Sequence, residues 1–268
     1  MRPLKEFSLQ EKHKIKFVLT DIDDTLTLNG RLPSLAYSAM EKLWNSGIKV
    51  IPITGRPAGW CDHMARMWPI DGIVGENGAF YFCYLQDKRK MVRRYWKSSQ
   101  QRQSDRIILK AIENRILKEF PGAKVSSDQT YREADLAIDY CEDVAPLPMF
   151  EVAKIVSLFE EMGAQAKVSS IHVNGWIGNY DKLSMTRILF REVFHKEMNN
   201  IKERVLFVGD SPNDAPMFSY FPNSAGVSNV KDFLGDFATE PTWITGKEGG
   251  LGFAELVEAL LGESRSGR

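Results

Sequence analysis

Three short apolar runs, each ending abruptly in a polar cluster, constrain this chain more than any other feature. Ile15 to Thr20 (IKFVLT) runs into Asp21-Ile22-Asp23-Asp24-Thr25. Ile48 to Ile53 (IKVIPI) runs into Thr54-Gly55-Arg56-Pro57. Arg204 to Val208 (RVLFV) runs into Gly209-Asp210-Ser211-Pro212-Asn213-Asp214. Continuous runs of this length, rich in β-branched and aromatic residues, suit strands covered on both faces. Between them, Leu35 to Ser46 and Leu183 to Phe194 carry apolar residues at helical spacing, and Gly47 stands where a helix C-cap belongs. Strand, helix, strand with short connections predicts βαβ units, hence an α/β, doubly wound parallel sheet. Ligands of such sheets bind beyond the carboxyl ends of the strands, where all three polar clusters fall.

The middle of the chain follows another pattern. A hairpin is expected over Ala79 to Trp96, turning near Gln86 to Arg89. A helix follows at about Ser104 to Phe120, then short strands ending in Asp135 to Cys141, and a second helix at about Met149 to Met162. Two closely spaced strands, Ala164 to Ser169 and Ile171 to Asn174, complete it. This order predicts an inserted α+β domain over residues 97–173, with residues 1–96 and 174–268 forming the parallel-sheet domain. The polar tail, Glu263 to Arg268, is expected to lack order.

Composition narrows the function classes. Among 268 residues, Lys+Arg and Asp+Glu balance at 35 each. That balance gives no reason to expect a nucleic-acid or membrane-surface partner, and the basic stretch Lys88 to Arg94 reads as a solvated hairpin. Cys61, Cys83 and Cys141 are far apart and form no CxxC pair, so neither a disulfide framework nor a zinc site is expected. The N-terminus shows no apolar signal segment and no run is long enough to span a bilayer. The expectation is a cytoplasmic protein, a monomer or small homo-oligomer.

The polar clusters carry the chemistry. Three carboxylates directly after a buried strand repel one another, and a divalent cation relieves that repulsion. Hard oxygen ligands of this kind suit Mg2+. The second acidic cluster, with Asp210, Asn213 and Asp214, lies at another strand end and makes a shared metal site more probable than either cluster does alone. Each cluster taken singly also reads as an acidic turn that caps a helix. The hydroxyl, flexible backbone and guanidinium of Thr54, Gly55 and Arg56 suit phosphate oxygens. Lys182 stands just before a helix, where a lone lysine is ordinarily a surface residue.

Taken in order, DIDDT, ITGRP, Lys182 and GDSPND resemble the four motifs of the haloacid dehalogenase superfamily. The position and element order of the insert resemble the C2B cap of its Cof-type and sugar-phosphate phosphatases, as does Gly75-Glu76-Asn77-Gly78-Ala79. The resemblance spans nearly the whole chain. It implies a Rossmann-like core, an aspartyl-phosphate formed on Asp21, and Asp23 as general acid and then base. It implies Mg2+ held by Asp21, Asp210, the Asp23 backbone carbonyl and Asp214. Thr54, Gly55, Arg56, Lys182 and Asn213 would hold the phosphoryl oxygens. Asp24 departs from the family pattern, which often has glycine there. The implied activity is a Mg2+-dependent phosphatase for a small phosphate ester. The segment Ile171 to Lys182 (IHVNGWIGNYDK) resembles sugar-phosphate phosphatases, which favours a sugar phosphate. Arg132, His172, Asn174 and Tyr180 are candidate substrate contacts, although His172 alternates with Ile171 and Val173 and is expected on the solvated face of its strand. A phosphomutase of the phosphomannomutase kind, and a phosphosugar-binding protein without catalysis, are the alternatives.

Overall fold

The computed structural model describes residues 1–235 and 237–262. Glu263 to Arg268, expected to lack order, lie outside the described residues. The chain opens with β1 (Arg2–Pro3), α1 (Leu9–Lys14), β2 (Phe17–Thr20), α2 (Ser34–Asn45), β3 (Lys49–Pro52) and α3 (Ala58–Met67). It continues with β4 (Ile73–Gly75), β5 (Phe80–Leu85), β6 (Lys90–Tyr95), α4 (Ser99–Glu119), β7 (Lys124–Val125), β8 (Asp135–Asp139) and α5 (Met149–Glu161). The strands β9 (Gln165–Val168) and β10 (His172–Trp176) lead to α6 (Lys182–Val193), α7 (Met198–Ile201) and β11 (Val205–Gly209). The last elements are α8 (Ala215–Tyr220), β12 (Asn223–Gly226), β13 (Trp243–Ile244) and α9 (Gly249–Leu261).

The three apolar runs become the adjacent strands β3, β2 and β11 of a parallel six-stranded sheet in the order β1-β13-β12-β11-β2-β3. Both faces of that sheet are covered. Val18, Val50, Leu206 and Val208 enter one apolar layer, with α2 and α9 residues such as Leu43 and Leu256. Phe17, Leu19, Ile51, Val205 and Phe207 enter the other, with Leu189 and Phe218. The alternation along each strand explains why the interiors of these runs are apolar, with Lys16, Lys49 and Arg204 confined to their starts: either face would bury a charge there. The hairpin β5–β6 pairs with β4 in a separate three-stranded sheet, and a single parallel bridge, Ile53 to Val74, ties that sheet to the end of β3.

Residues 99–176 build a four-stranded sheet, β7-β8-β10-β9, antiparallel throughout, with α4 and α5 against it. It has its own apolar core, including Ile112, Ile116, Ile138, Phe159 and Val173. The helix α4 begins five residues before the expected Ser104. Ser98 and Gln101 form a capping box there, with Ser98 Oγ accepting from the Gln101 amide and Gln101 Oε1 accepting from the Ser98 amide. This satisfies donors that a helix start leaves orphaned, so the polar first turn is stable without apolar spacing. No helix among the described residues is long and apolar enough to cross a membrane.

Candidate active site

The carboxyl ends of β2, β3 and β11 converge, bringing their three polar clusters together. The Asp21 amide donates to the Val208 carbonyl at 2.9 Å, which carries the β2–β11 ladder one residue beyond the strand and fixes Asp21 beside Asp210. Lys182, the first residue of α6, is buried and reaches the same cluster. Its Nζ donates to Asp21 Oδ1 at 2.7 Å and to Asp214 Oδ1 at 3.2 Å. Asp214 Oδ2 in turn accepts the Asp210 amide at 3.2 Å, and Asp210 Oδ1 accepts from Thr25 Oγ1 at 2.9 Å. The surface reading of Lys182 therefore fails: α6 packs against the core so that its N-terminal side chain points into the acidic cluster.

Burial dominates the electrostatics. It pushes the Asp21 carboxyl up to about 7, with Asp214 and Asp23 adding repulsion against the Lys182 attraction. Asp210 is raised well above the usual carboxylate range by burial and then by Asp214 and Asp21. Burial alone would lower Lys182, but Asp21 and Asp214 outweigh it and hold the ammonium above its ordinary range. Four buried groups thus carry three potential negative charges and one positive. Asp21, Asp210 and Asp214 each offer an oxygen within 4.8 Å of the others. Mg2+ takes oxygens at about 2.1 Å, so opposite ligands stand ~4.2 Å apart, and the triad fits such an ion with small adjustment. The charge excess and the all-oxygen donor set are what a divalent cation would satisfy.

Asp23 has another partner. Arg56 Nε donates to its Oδ1 at 2.9 Å and Oδ2 at 3.1 Å, and Nη2 to Oδ1 at 2.7 Å. The guanidinium that suited phosphate by sequence is therefore committed to a neighbouring carboxylate. It also faces Asp128 at 3.8 Å and Glu142 at 3.7 Å from the four-stranded-sheet region, and stacks over Trp60. Thr54 is fully buried, its Oγ1 accepting from the Arg56 amide at 3.0 Å, while Gly55 lines the cavity with Arg56 and Asn213. Asp24 adopts φ 56°, the left-handed region that glycine enters freely and aspartate tolerates. That accounts for a residue where the family pattern often has glycine.

The cavity above Asp21 is roofed by residues 167–174, including Ser169, His172 and Asn174. It opens to a wider cleft of about 550 Å³ that shares Ser169, Ser170 and Asp210 and adds Leu28, Tyr140 and Met149. Arg132 lines the cavity but is spent on internal pairs: Nε donates to Asp128 at 2.8 Å, Nη1 to Asp135 at 3.0 Å and to the Gly55 carbonyl at 3.0 Å. Asn174 donates to Asp135 at 3.3 Å. The expectation for His172 is corrected: it is only 2% exposed, because β10 is the inner strand between β8 and β9 and both its faces are covered. Burial, then Arg132, pushes its imidazole down to about 4, so it is neutral at pH 7. Its Nε2 stands 2.9 Å from Glu142 Oε2 without the alignment of a hydrogen bond. Tyr180 is absent from the cavity wall; it stacks on Trp176, whose Nε1 donates to the Tyr180 carbonyl.

Sequence reasoning gave no role to Thr25, which donates to Asp210, to Asn77 and Lys167 in the cavity wall, or above all to Glu76. The Glu76 carboxylate is fully buried and accepts from the amides of Ala58, Glu133, Ala134 and Asp135. Glu76 and Asn77 have φ of 42° and 54°. The Asn-Gly turn signal at Asn77-Gly78, directly after a short strand, is the trace of that conformation in the sequence.

A family model described as haloacid dehalogenase-like hydrolase matches residues 18–137. Phosphoglycolate phosphatase 1 of Saccharolobus solfataricus is 27% identical over 256 residues, covering 92% of this chain and 96% of that protein. A HAD/COF-like hydrolase from Plasmodium vivax superposes with a TM-score of 0.65 at 17% identity, covering 92% of this chain and 96% of that one. The sucrose-phosphatase of Synechocystis, solved with sucrose and phosphate, superposes with a TM-score of 0.62 at 14% identity, over 92% and 98% of the two chains. Strand-end motifs, fold and full-length relatives agree, and the chain is similar along its length to haloacid dehalogenase-like hydrolases and phosphatases.

Proposed function

We propose that this protein is a Mg2+-dependent phosphatase that hydrolyses a small phosphorylated metabolite, of the sugar-phosphate kind, through an aspartyl-phosphate on Asp21. The observation that carries the reading is the Lys182 ammonium bridging Asp21 and Asp214 beside Asp210, all four buried under one cavity. A carboxylate held next to a cation, with two more acids at hand for a metal, is equipped to attack an anionic phosphorus. Asp21, Asp210 and Asp214 would hold the ion, with the Asp23 carbonyl; when bound, it offsets the repulsion between nucleophile and phosphate.

An Asp21 oxygen attacks phosphorus and the bond to the ester oxygen breaks. Asp23 delivers its proton to that oxygen, releasing an alcohol. Water then attacks phosphorus, Asp23 takes the proton, and the Asp21 carboxylate is regenerated with free phosphate. Lys182, the Thr54–Gly55 backbone and Asn213 hold the phosphoryl oxygens. Residues 97–173 form the cap that closes over the leaving group and selects it. The similarity to phosphatases of phosphoglycolate and sucrose phosphate supports a small, hydroxylated leaving group.

The test is phosphate release from p-nitrophenyl phosphate with Mg2+, and its loss with a chelator. Asp21→Asn lowers kcat by ~10³-fold or more while far-UV circular dichroism stays unchanged. Wild-type rates in that variant would end the mechanism. Isomerised sugar phosphate without free phosphate, from hexose 1-phosphate, would instead mark a mutase.

A further inference from the structure

The cavity above Asp21 is too small for a whole substrate. It encloses about 40 Å³, room for about three waters or one phosphoryl group. A side pocket towards Trp176 and Met217 adds only about 50 Å³. The leaving group therefore has to lie in the wider cleft of about 550 Å³, which shares Ser169, Ser170, Asp210, Ser211 and Asn213 with the cavity.

That cleft joins apolar surface to one sign of charge. Leu28, Tyr140, Met149 and Phe233 supply the apolar part. Its charged residues are Asp24, Asp210, Asp232 and Glu248, with no Lys, Arg or His among the described residues that line it. Asp210 belongs to the metal-binding triad. The carboxylates of the other three make no ion pair and accept no hydrogen bond among the described residues; Glu248 stands at the N-cap of α9, yet its side chain caps nothing.

One side chain holds these acids together. Asn229 donates from Nδ2 to the Asp24 carbonyl at 3.0 Å and accepts the Gly249 amide on Oδ1 at 3.1 Å. It thereby ties the turn that bears Asp24 to the backbone beside Glu248, and Asp232 follows in the same short segment, Ser228–Phe233. The Asp24 amide, bonded to Thr27 Oγ1 at 2.9 Å, fixes the turn from its other end. Three carboxylates held on one cleft without a counter-charge favour a cation there and repel a second anion.

We propose that the preferred substrate is a phosphate monoester whose leaving group carries an ammonium and lies in this cleft, of the amino-sugar or amino-alcohol class. This rests on the phosphatase reading above and selects among the small leaving groups which that reading allows. The C–H faces of such a group pack on the apolar surface, and its ammonium meets Asp24, Asp232 and Glu248. Because Asp232 and Glu248 are exposed, water screens each contact and the discrimination is moderate.

The experiment uses the full-length enzyme with Mg2+ on glucosamine 6-phosphate, its amine protonated, and on glucose 6-phosphate. The two differ by an ammonium against a hydroxyl at equal size, and p-nitrophenyl phosphate is run alongside. The amino sugar is expected to be favoured by ~10-fold in kcat/KM, chiefly through KM, and the preference shrinks at high ionic strength. In the double variant Asp232→Asn, Glu248→Gln that ratio falls towards one, while the rate on p-nitrophenyl phosphate stays at the wild-type level. Turnover of p-nitrophenyl phosphate without a preference for the amino sugar overturns this inference and leaves the phosphatase reading intact. A preference that survives undiminished in the double variant also overturns it, since these acids would then not receive the ammonium. No turnover of any of the three esters overturns the phosphatase reading, and this inference with it.

Discussion

Arg56 is the side chain on which the site and the segment above it meet. Bidentate bonds to Asp23 fix that carboxylate's position, while Asp128 and Glu142 face the same guanidinium from the other side. Burial alone would lower the Arg56 pKa, and Asp23 together with Glu142 and Asp128 more than offsets it. If Arg56 positions the acid and base, Arg56→Met lowers kcat by ~10-fold to ~100-fold with little change in KM. Arg56→Lys recovers only part, because a point charge cannot reproduce the planar fork. A rise in KM with kcat intact would return Arg56 to phosphate binding. His172 offers a test without substrate. Its imidazole titrates near 6.5 when unfolded and about 4 when folded, because burial disfavours its charged form. The unfolded chain therefore binds more protons between these values. The associated stability is complete above about pH 6.5 and is lost as pH falls towards 4, on the order of 3 kcal/mol in all. Glu142, raised chiefly by its burial, works in the opposite direction and offsets part of this. Urea unfolding from pH 7 to pH 4 reads the slope, and His172→Gln should flatten it.

At the scale of elements, the turn Glu76-Asn77-Gly78 decides where α6 begins. Gly78 has φ 108°, and a Cβ there would collide with the Asp181 carbonyl. Asp181 is the N-cap of α6, its Oδ1 accepting from the Ser184 amide at 2.6 Å. The turn thus presses on the backbone that carries Lys182, and its glycine sets how closely the two approach. Gly78→Ala combines backbone strain with a backbone collision, so we expect a loss of ~2–4 kcal/mol by chemical denaturation. We also expect activity to fall further than that loss of folded protein explains, because Lys182 shifts from Asp21. Full activity in a folded Gly78→Ala protein would show that the turn does not set the lysine.

For the whole molecule, Glu76 is the tie between the sheet that holds the site and the region that roofs it. Its carboxylate sits beside α3 and takes three consecutive amides from residues 133–135, next to Arg132 and its bond to the Gly55 carbonyl. Burial, then Asp135, pushes it up to about 8, so four backbone donors stabilise a carboxylate that its surroundings otherwise disfavour. Glu76→Ala leaves those donors buried without a partner and should cost ~3–5 kcal/mol. Limited proteolysis is expected to find a new cleavage near residues 128–135 before the rest of the chain unfolds. A variant as stable and as resistant as the wild type would show that the two regions hold together without Glu76.

The sequence by itself determined the parallel sheet, because apolar runs of five or six residues bury both faces or none. It also placed the acids of the first and last clusters at strand ends, and the resemblance to known motifs joined them into one site before any geometry was available. Local patterns carry that much because strand, turn and cap preferences act over a few residues. Only the tertiary structure decided which charges pair. Arg56 on Asp23, Lys182 between two aspartates and His172 under cover all depend on residues 32 to 161 positions apart, or on which strand lies inside its sheet. Tyr180 fell to the aromatic stack and Glu76 to the seam for the same reason. A side chain's partner is fixed by packing and by the cost of burying charge, and neither is written in the spacing of its neighbours.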